Sequence, residues 1–255
     1  MLKRLRSHVC GAWFEGNGTA VEVFDPTTGV AIAAVNNSGL DFAAALQYAR
    51  ETGGPVLRAM TFAQRGELLM AIAAAWHEFR DELLALSTVS GGNTRGDAKF
   101  DLDGATGTLS AYAKMGAKLG EARFLIDGPP IRLSRSPRFV GRHVRMPRVG
   151  VAIHINAFNF PAWGMAEKMA AAILGGMPVV TKAATSTAVL AERLVEILVE
   201  KEVVPPGVFS LICGSAGDML QHVTTQDVVA FTGSAATGCR IRSGAAVIEK
   251  SVRVN

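Results

Sequence analysis

Cysteine is scarce in this chain, charge is modest and no long apolar run occurs, and each shortage excludes something. Three cysteines, Cys10, Cys213 and Cys239, are scattered through 255 residues with no paired spacing. That speaks against a zinc site and for a reducing cytoplasm. The basic start, Met1-Leu2-Lys3-Arg4-Leu5-Arg6, leads into Ser7-His8 and not into an apolar stretch, which argues against a secretory signal. The apolar run around residues 169–180 is broken by Gly175, Gly176 and Pro178, too short a span for a membrane. No internal repeat and no low-complexity linker is present. Asp97, Asp101 and Asp103 form no complete oxygen-ligand loop, so a solvated helix start is preferred to a metal cluster.

What is present is apolar content. Hydrophobic residues make up 49% and charged residues 19%, enough for a sizeable core in one large domain or two small ones. The excess is consistent with a surface covered by a partner or by further chain. The first part reads as helical. Phe42, Leu46 and Ala49 mark one helical face, and Leu69, Ile72, Trp76, Phe79 and Leu83 recur at spacings of three and four over residues 62–86. Trp76 is read as core. Gly91-Gly92-Asn93 closes this unit, and a further helix is expected over about 102–119.

The net charge of +4 raises the question of nucleic acid. The cations concentrate at Arg132, Arg135, Arg138, Arg142, His143, Arg145 and Arg148, a segment punctuated by Pro137, Gly141 and Pro147. A phosphate-binding arm is one reading; a solvated two-stranded hairpin is the simpler one, and no nucleic-acid partner is expected.

From Val151 the pattern changes to strand, helix, strand, helix, strand, short helix, strand, helix, strand. Such alternation implies an α/β fold with an open parallel sheet and helices on both faces. Four corners of that sheet carry candidate chemistry. The run Val151-Ala152-Ile153-His154-Ile155-Asn156-Ala157-Phe158-Asn159-Phe160-Pro161 reads as a buried strand, a corner and a helix opened by Pro161. Asn159 at that corner either caps the helix or offers an amide to an oxyanion; on this segment alone the cap is simpler. Lys182 ends the strand of Pro178-Val179-Val180-Thr181, before a helix expected over about 185–202, and is a crevice lysine or a solvated one. Phe231-Thr232-Gly233-Ser234 ends a third strand and opens a helix, either as an ordinary turn or as a phosphate cradle. Gly214 follows a fourth strand. Right-handed crossovers place Asn159, Lys182, Gly214 and Ser234 on one sheet edge.

Together the Asn-Phe-Pro, strand-end lysine and Phe-Thr-Gly-Ser segments, with Val204-Pro205-Pro206-Gly207-Val208-Phe209 between them, resemble the aldehyde dehydrogenase superfamily. The resemblance runs from Gly11-Ala12-Trp13 almost to the end. Trp163-Gly164 and Cys213-Gly214-Ser215-Ala216-Gly217-Asp218 are most similar to the branch that oxidises coenzyme A-linked semialdehydes of aromatic-acid breakdown. It implies a Rossmann-like cofactor part over residues 151–255, a mainly helical part over 1–125, and an arginine-rich hairpin over 126–150 that joins subunits of a homo-oligomer. The lack of a glycine-rich dinucleotide fingerprint after the first strand fits that family.

The resemblance also implies roles. Asn159 would donate to the oxyanion, Lys182 would contact the adenosine ribose or its phosphate, and Gly233 with Ser234, beside Thr232, would hold the pyrophosphate. Ile155, Ala157 and Phe158 would line the cleft. Thr185 stands where NAD-preferring relatives carry a glutamate, so NADP is expected over NAD, though NAD remains possible. The complete mechanism would use a cysteine thiolate on the aldehyde, a nicotinamide as hydride acceptor and a glutamate-activated water. That glutamate and cysteine would fall beyond Asn255, and neither Glu249 nor the three cysteines replaces them by motif. The expectation is therefore a truncated, cytoplasmic cofactor portion with little or no activity of its own. A non-catalytic NADP-binding or subunit-assembly protein is the alternative. Deleting residues 132–148 is expected to abolish oligomers in size-exclusion chromatography, and an unchanged elution volume would remove the assembly role.

Overall fold

The computed structural model describes residues 2–255. It opens with five short strands: β1 (Lys3–Leu5), β2 (Ser7–Val9), β3 (Ala12–Phe14), β4 (Val21–Phe24) and β5 (Ala31–Val35). A mainly helical part was expected over residues 1–125, and these strands ahead of its helices were not singled out from sequence. At three to five residues they are too short to display the alternation by which a strand is read from sequence. β1, β5 and β4 form a small sheet of their own.

The helices follow. α1 (Phe42–Tyr48) runs through a π turn at Ala49–Gly53 into α2 (Gly54–Ala59). α3 (Phe62–Glu78) begins with a reciprocal cap: Gln64 N donates to Thr61 Oγ1, and Thr61 N donates to Gln64 Oε1. The apolar stripe read as one helix is two, because the chain leaves helical geometry at Phe79 (φ −98°, ψ 18°) before α4 (Arg80–Gly91). Gly92 ends α4 in the left-handed conformation, φ 65°. Trp76 is 1% exposed and donates Nε1 to Leu194 O at 3.0 Å, a core residue as expected. α5 (Arg95–Leu119) starts at Arg95 and not near Leu102, because Thr94 caps it on Asp97 N.

β6 (Leu125–Arg132) and β7 (Val140–Arg145) form a separate antiparallel hairpin with almost every residue exposed. After it come β8 (Ala152–Ile155), α6 (Pro161–Leu174), β9 (Val179–Lys182), α7 (Ala188–Glu200) and β10 (Phe209–Ile212). β11 (Val228–Phe231), α8 (Ala235–Arg242), α9 (Ala245–Glu249) and β12 (Arg253–Val254) complete the chain. The helix expected from residue 185 begins as a 3-10 turn, Thr185–Thr187, before α7.

The main sheet has the order β12-β11-β8-β9-β10-β2-β3. Its first five members are parallel; β2 adds antiparallel to β10 and β3 to β2. Alternation along the strands divides the interior in two. Ala152, Val179 and Leu211 face α3 to α7, while Ile153, Val180, Ile212 and Val229 face α1, α8 and α9. No helix among the described residues is long and apolar enough to cross a membrane.

Arg65 ties the helical layer together. It is 0% exposed, and its guanidinium donates to the carbonyls of Leu57, Met60, Arg123 and Leu174 at 2.8–3.0 Å. The ends of α2 and α6 and the start of the hairpin thus share one donor fork. Burial lowers the arginine's pKa. Each buried acceptor left without a donor costs about 1–3 kcal/mol. Arg65→Met is therefore expected to lower the unfolding free energy by at least ~3 kcal/mol in a urea titration. A loss below ~1 kcal/mol would mean that water satisfies the carbonyls equally well.

Candidate functional site

The parallel register decides where the candidate residues meet. Ile155 pairs with Lys182, Lys182 with Ile212, and Phe231 with Ile155, so four strand ends lie in one row. From β8 the chain moves to β9 and β10 on one side, then returns to β11 on the other. A crevice opens outside the carboxyl ends where strand order reverses in this way.

That crevice is a cavity of about 550 Å³ lined by Ala157, Phe158, Asn159, Lys182, Thr185, Thr232, Gly233 and Ser234, among others. Most candidate residues thus meet in one place. Two do not line it. Ile155 is partly buried in the core beneath, though its carbonyl accepts from Thr232 N at 3.0 Å and so joins the two corners. Gly214 turns the chain after β10 at φ 109°, and a Cβ there would lie 3.0 Å from Asn37. Asn37 in turn bonds the Ser215 carbonyl and N–H. Gly214 therefore serves the junction with the N-terminal segment.

Lys182 is half-buried, and its Nζ has no hydrogen-bond or ion-pair partner among the described residues. Burial lowers its pKa, so an anion at Nζ would restore what desolvation removes. At the opposite corner Ser234 caps α8: its Oγ accepts from Thr237 N at 3.3 Å and lies 3.1 Å from Thr237 Oγ1. The first bond of the helix ladder runs from Gly238 N to Ser234 O. The N–H groups of Ala235 and Ala236 thus have no place in the ladder and suit an acceptor from outside. Gly233 is needed because a Cβ there would come within 2.5 Å of the Phe231 ring.

Asn159 is exposed, and Phe160, not Asn159, occupies the N-cap of α6 without any side-chain cap bond. The helix is capped from elsewhere. Pro161 lacks an N–H, and the next two N–H groups, of Ala162 and Trp163, donate to Asp101 of α5 at 3.1 and 2.7 Å. This corrects the reading of Asp101 as part of a solvated helix start: it is 0% exposed, whereas Asp97 bonds Thr94 and Asp103 pairs with Arg80. Burial pushes the Asp101 carboxyl up to about 6 against those two donors, which pull it down. Trp163 lies over Gly104 of α5, where a Cβ would come within 2.6 Å of the ring, and its Nε1 donates to Thr108 Oγ1 at 2.9 Å.

A smaller cavity of about 210 Å³ adjoins the cleft, sharing Ala157, Asn159 and Thr232 and adding Trp163, Gly164 and Glu167. Glu167 was not singled out from sequence; its spacing of four from Trp163 on α6 was the available signal. Asn156 and Thr237, which also line the cleft, were missed as well. No cysteine lines either cavity. Cys213 is buried, which pushes its thiol well above the usual range, while Cys10 and Cys239 are exposed. Glu249 is exposed at the end of α9.

Comparison with known proteins agrees with this architecture. The Aldehyde dehydrogenase family model matches residues 13–254. A 3,4-dehydroadipyl-CoA semialdehyde dehydrogenase of Aromatoleum evansii is 47% identical over 252 residues, covering 99% of this chain and 49% of the relative. The NADP(+) succinate-semialdehyde dehydrogenase of Escherichia coli is 29% identical over 241 residues, 93% of this chain and 48% of its own length. Among solved structures, an aldehyde dehydrogenase of Bacillus cereus in complex with NAD+ superposes with a TM-score of 0.84 at 26% identity, covering 99% of this chain and 50% of that one. An E. coli NADP-dependent enzyme gives 0.84 at 26%, over 99% of this chain and 51% of its own. The chain spans about half the length of the curated relatives it matches.

The Asp101 cap has a pH signature. Its folded pKa of about 6 lies above the unfolded value of about 3.9, so the folded state holds the proton more tightly. The stabilisation from that protonation is complete below about pH 4 and is lost as pH rises through about 6. Wild-type stability relative to Asp101→Asn should therefore fall over that interval in urea titrations. A flat difference would show that the carboxyl is not desolvated.

Proposed function

Because the chain belongs to the aldehyde dehydrogenase family, we propose that it forms the cofactor-binding half of an oxidoreductase that converts an aldehyde to a carboxylic acid with NADP. The observation that carries this reading is the convergence of the β8, β9 and β11 corners on one cleft. The residues present suit a dinucleotide: an unpaired lysine, free first-turn N–H groups and a buried Asn156 Oδ1 without a donor. Ala235 and Ala236 N–H, with Gly233 and Ser234, would hold the pyrophosphate. Lys182 would draw a 2′-phosphate, and Thr185, being uncharged, would not repel one. When bound, the nicotinamide supplies a hydride acceptor. Asn159, exposed and lining both cavities, would present its NH2 to the oxyanion formed at the carbonyl carbon.

A coenzyme A-linked semialdehyde of aromatic-acid degradation is the favoured substrate, supported by the name of the 47% identical relative. The hairpin is assigned to homo-oligomer assembly. It exposes Ile126, Ile131, Phe139, Val140 and Val144, and a two-stranded ribbon without cover is marginal in water. With no thiol at either cavity, the chain alone is expected to bind NADP without oxidising aldehyde at the rate of a complete enzyme.

Calorimetric titration tests the cofactor reading. NADP should bind the wild-type chain more tightly than NAD. Thr185→Glu should weaken NADP about tenfold or more, about 1.4 kcal/mol, while sparing or improving NAD. Lys182→Met should narrow the preference in the same direction. Equal effects on both dinucleotides would remove the 2′-phosphate from this corner.

A further inference from the structure

We propose that Asn156 reads the adenosine ribose, its side-chain carbonyl accepting a hydrogen bond from the 3′-hydroxyl of the dinucleotide. This rests on the cleft being a dinucleotide site and names a contact within it. Asn156 is 7% exposed and lines the cleft at the β8–β9 corner. It is held at two points: its N donates to Lys182 O at 3.1 Å, and its Nδ2 donates to Thr181 Oγ1 at 3.0 Å. Its Oδ1 is buried and has no donor. Buried acceptors in folded proteins are nearly all satisfied, so one left open beside a cleft calls for a donor from a ligand. The chemistry narrows which donor. Phosphate oxygens offer mainly acceptors and would be repelled by Oδ1. The donors of the dinucleotide are its ribose hydroxyls, the adenine amino group and the carboxamide. Asn156 bonds to Lys182, whose charge suits the 2′-phosphate, and the hydroxyl next to a 2′-phosphate is the 3′. The carboxamide belongs at the other end, towards Asn159. Asn156 is thus a specificity-determining residue that works alongside Lys182: the cation senses the phosphate, and the amide senses the free hydroxyl.

The experiment is calorimetric titration of the chain with NADP and with its analogue lacking the adenosine 3′-hydroxyl. The wild type should bind the analogue about fivefold to tenfold more weakly. Asn156→Leu, with its melting temperature checked, should lose about the same factor for NADP and nothing further for the analogue. Equal wild-type affinities would overturn the assignment without recourse to any variant. Equal losses for both ligands in Asn156→Leu would also overturn it, since the side chain would then act through the shape of the cleft or on the phosphate. Absence of NADP binding to the wild type would sink the dinucleotide reading itself, an outcome distinct from these.

Discussion

The structure turns on a carboxylate that caps a helix other than its own. α6 begins at a proline, and its N-cap residue Phe160 makes no side-chain cap hydrogen bond, so its first N–H groups would be orphaned inside the protein. Asp101 reaches them from 61 and 62 residues earlier in the chain. Its negative charge also meets the positive end of the helix dipole. One residue of the helical layer therefore fixes where α6 starts, and with it the corner that carries Asn159. Gly104 and Thr108, on the same helix as Asp101, receive the Trp163 ring and its N–H, so α5 clamps α6 over two turns. The consequence is chemical: α6 is capped without any help from Asn159, which stays exposed beside the cleft.

The second constraint is the parallel ladder. Strands of four residues in exact step end in one row, and each end then turns into a loop or helix. Reversal of the strand order between β8 and β11 separates two of those turns enough to leave a cleft. The cleft's polarity follows from what ends there: a desolvated lysine at one corner, a helix N-terminus at another. Both favour an anion, and neither is neutralised by an acidic residue of the cleft lining.

Much of this was legible in the linear chain. Short continuous apolar runs, the proline at the start of α6 and the Gly-Ser turn before α8 are local signals, and they marked the corners at Asn159, Lys182 and Ser234. Gly214 was grouped with these corners, and the structure sets it outside the cleft lining for a physical reason. It ends a strand like the others, but its turn is packed against Asn37, a contact 178 residues apart in the chain for the neighbouring Ser215. Asp101 was taken for a solvated acid because acidic residues near a helix start usually are; nothing local announces that another helix will land on it. Strands β1 to β5 escaped notice because their pairing partners, not their patterning, make them strands.

By itself the sequence determined the kinds of element and their order from Val151 onward, because apolar runs, proline and glycine act within a few residues. It also determined which side chains stand at the strand ends. The tertiary structure alone decided which of them share a cavity, which acid is buried, and which asparagine is spent and which is free. Those outcomes depend on register and helix contact between segments tens to hundreds of residues apart, and no local pattern encodes such distances.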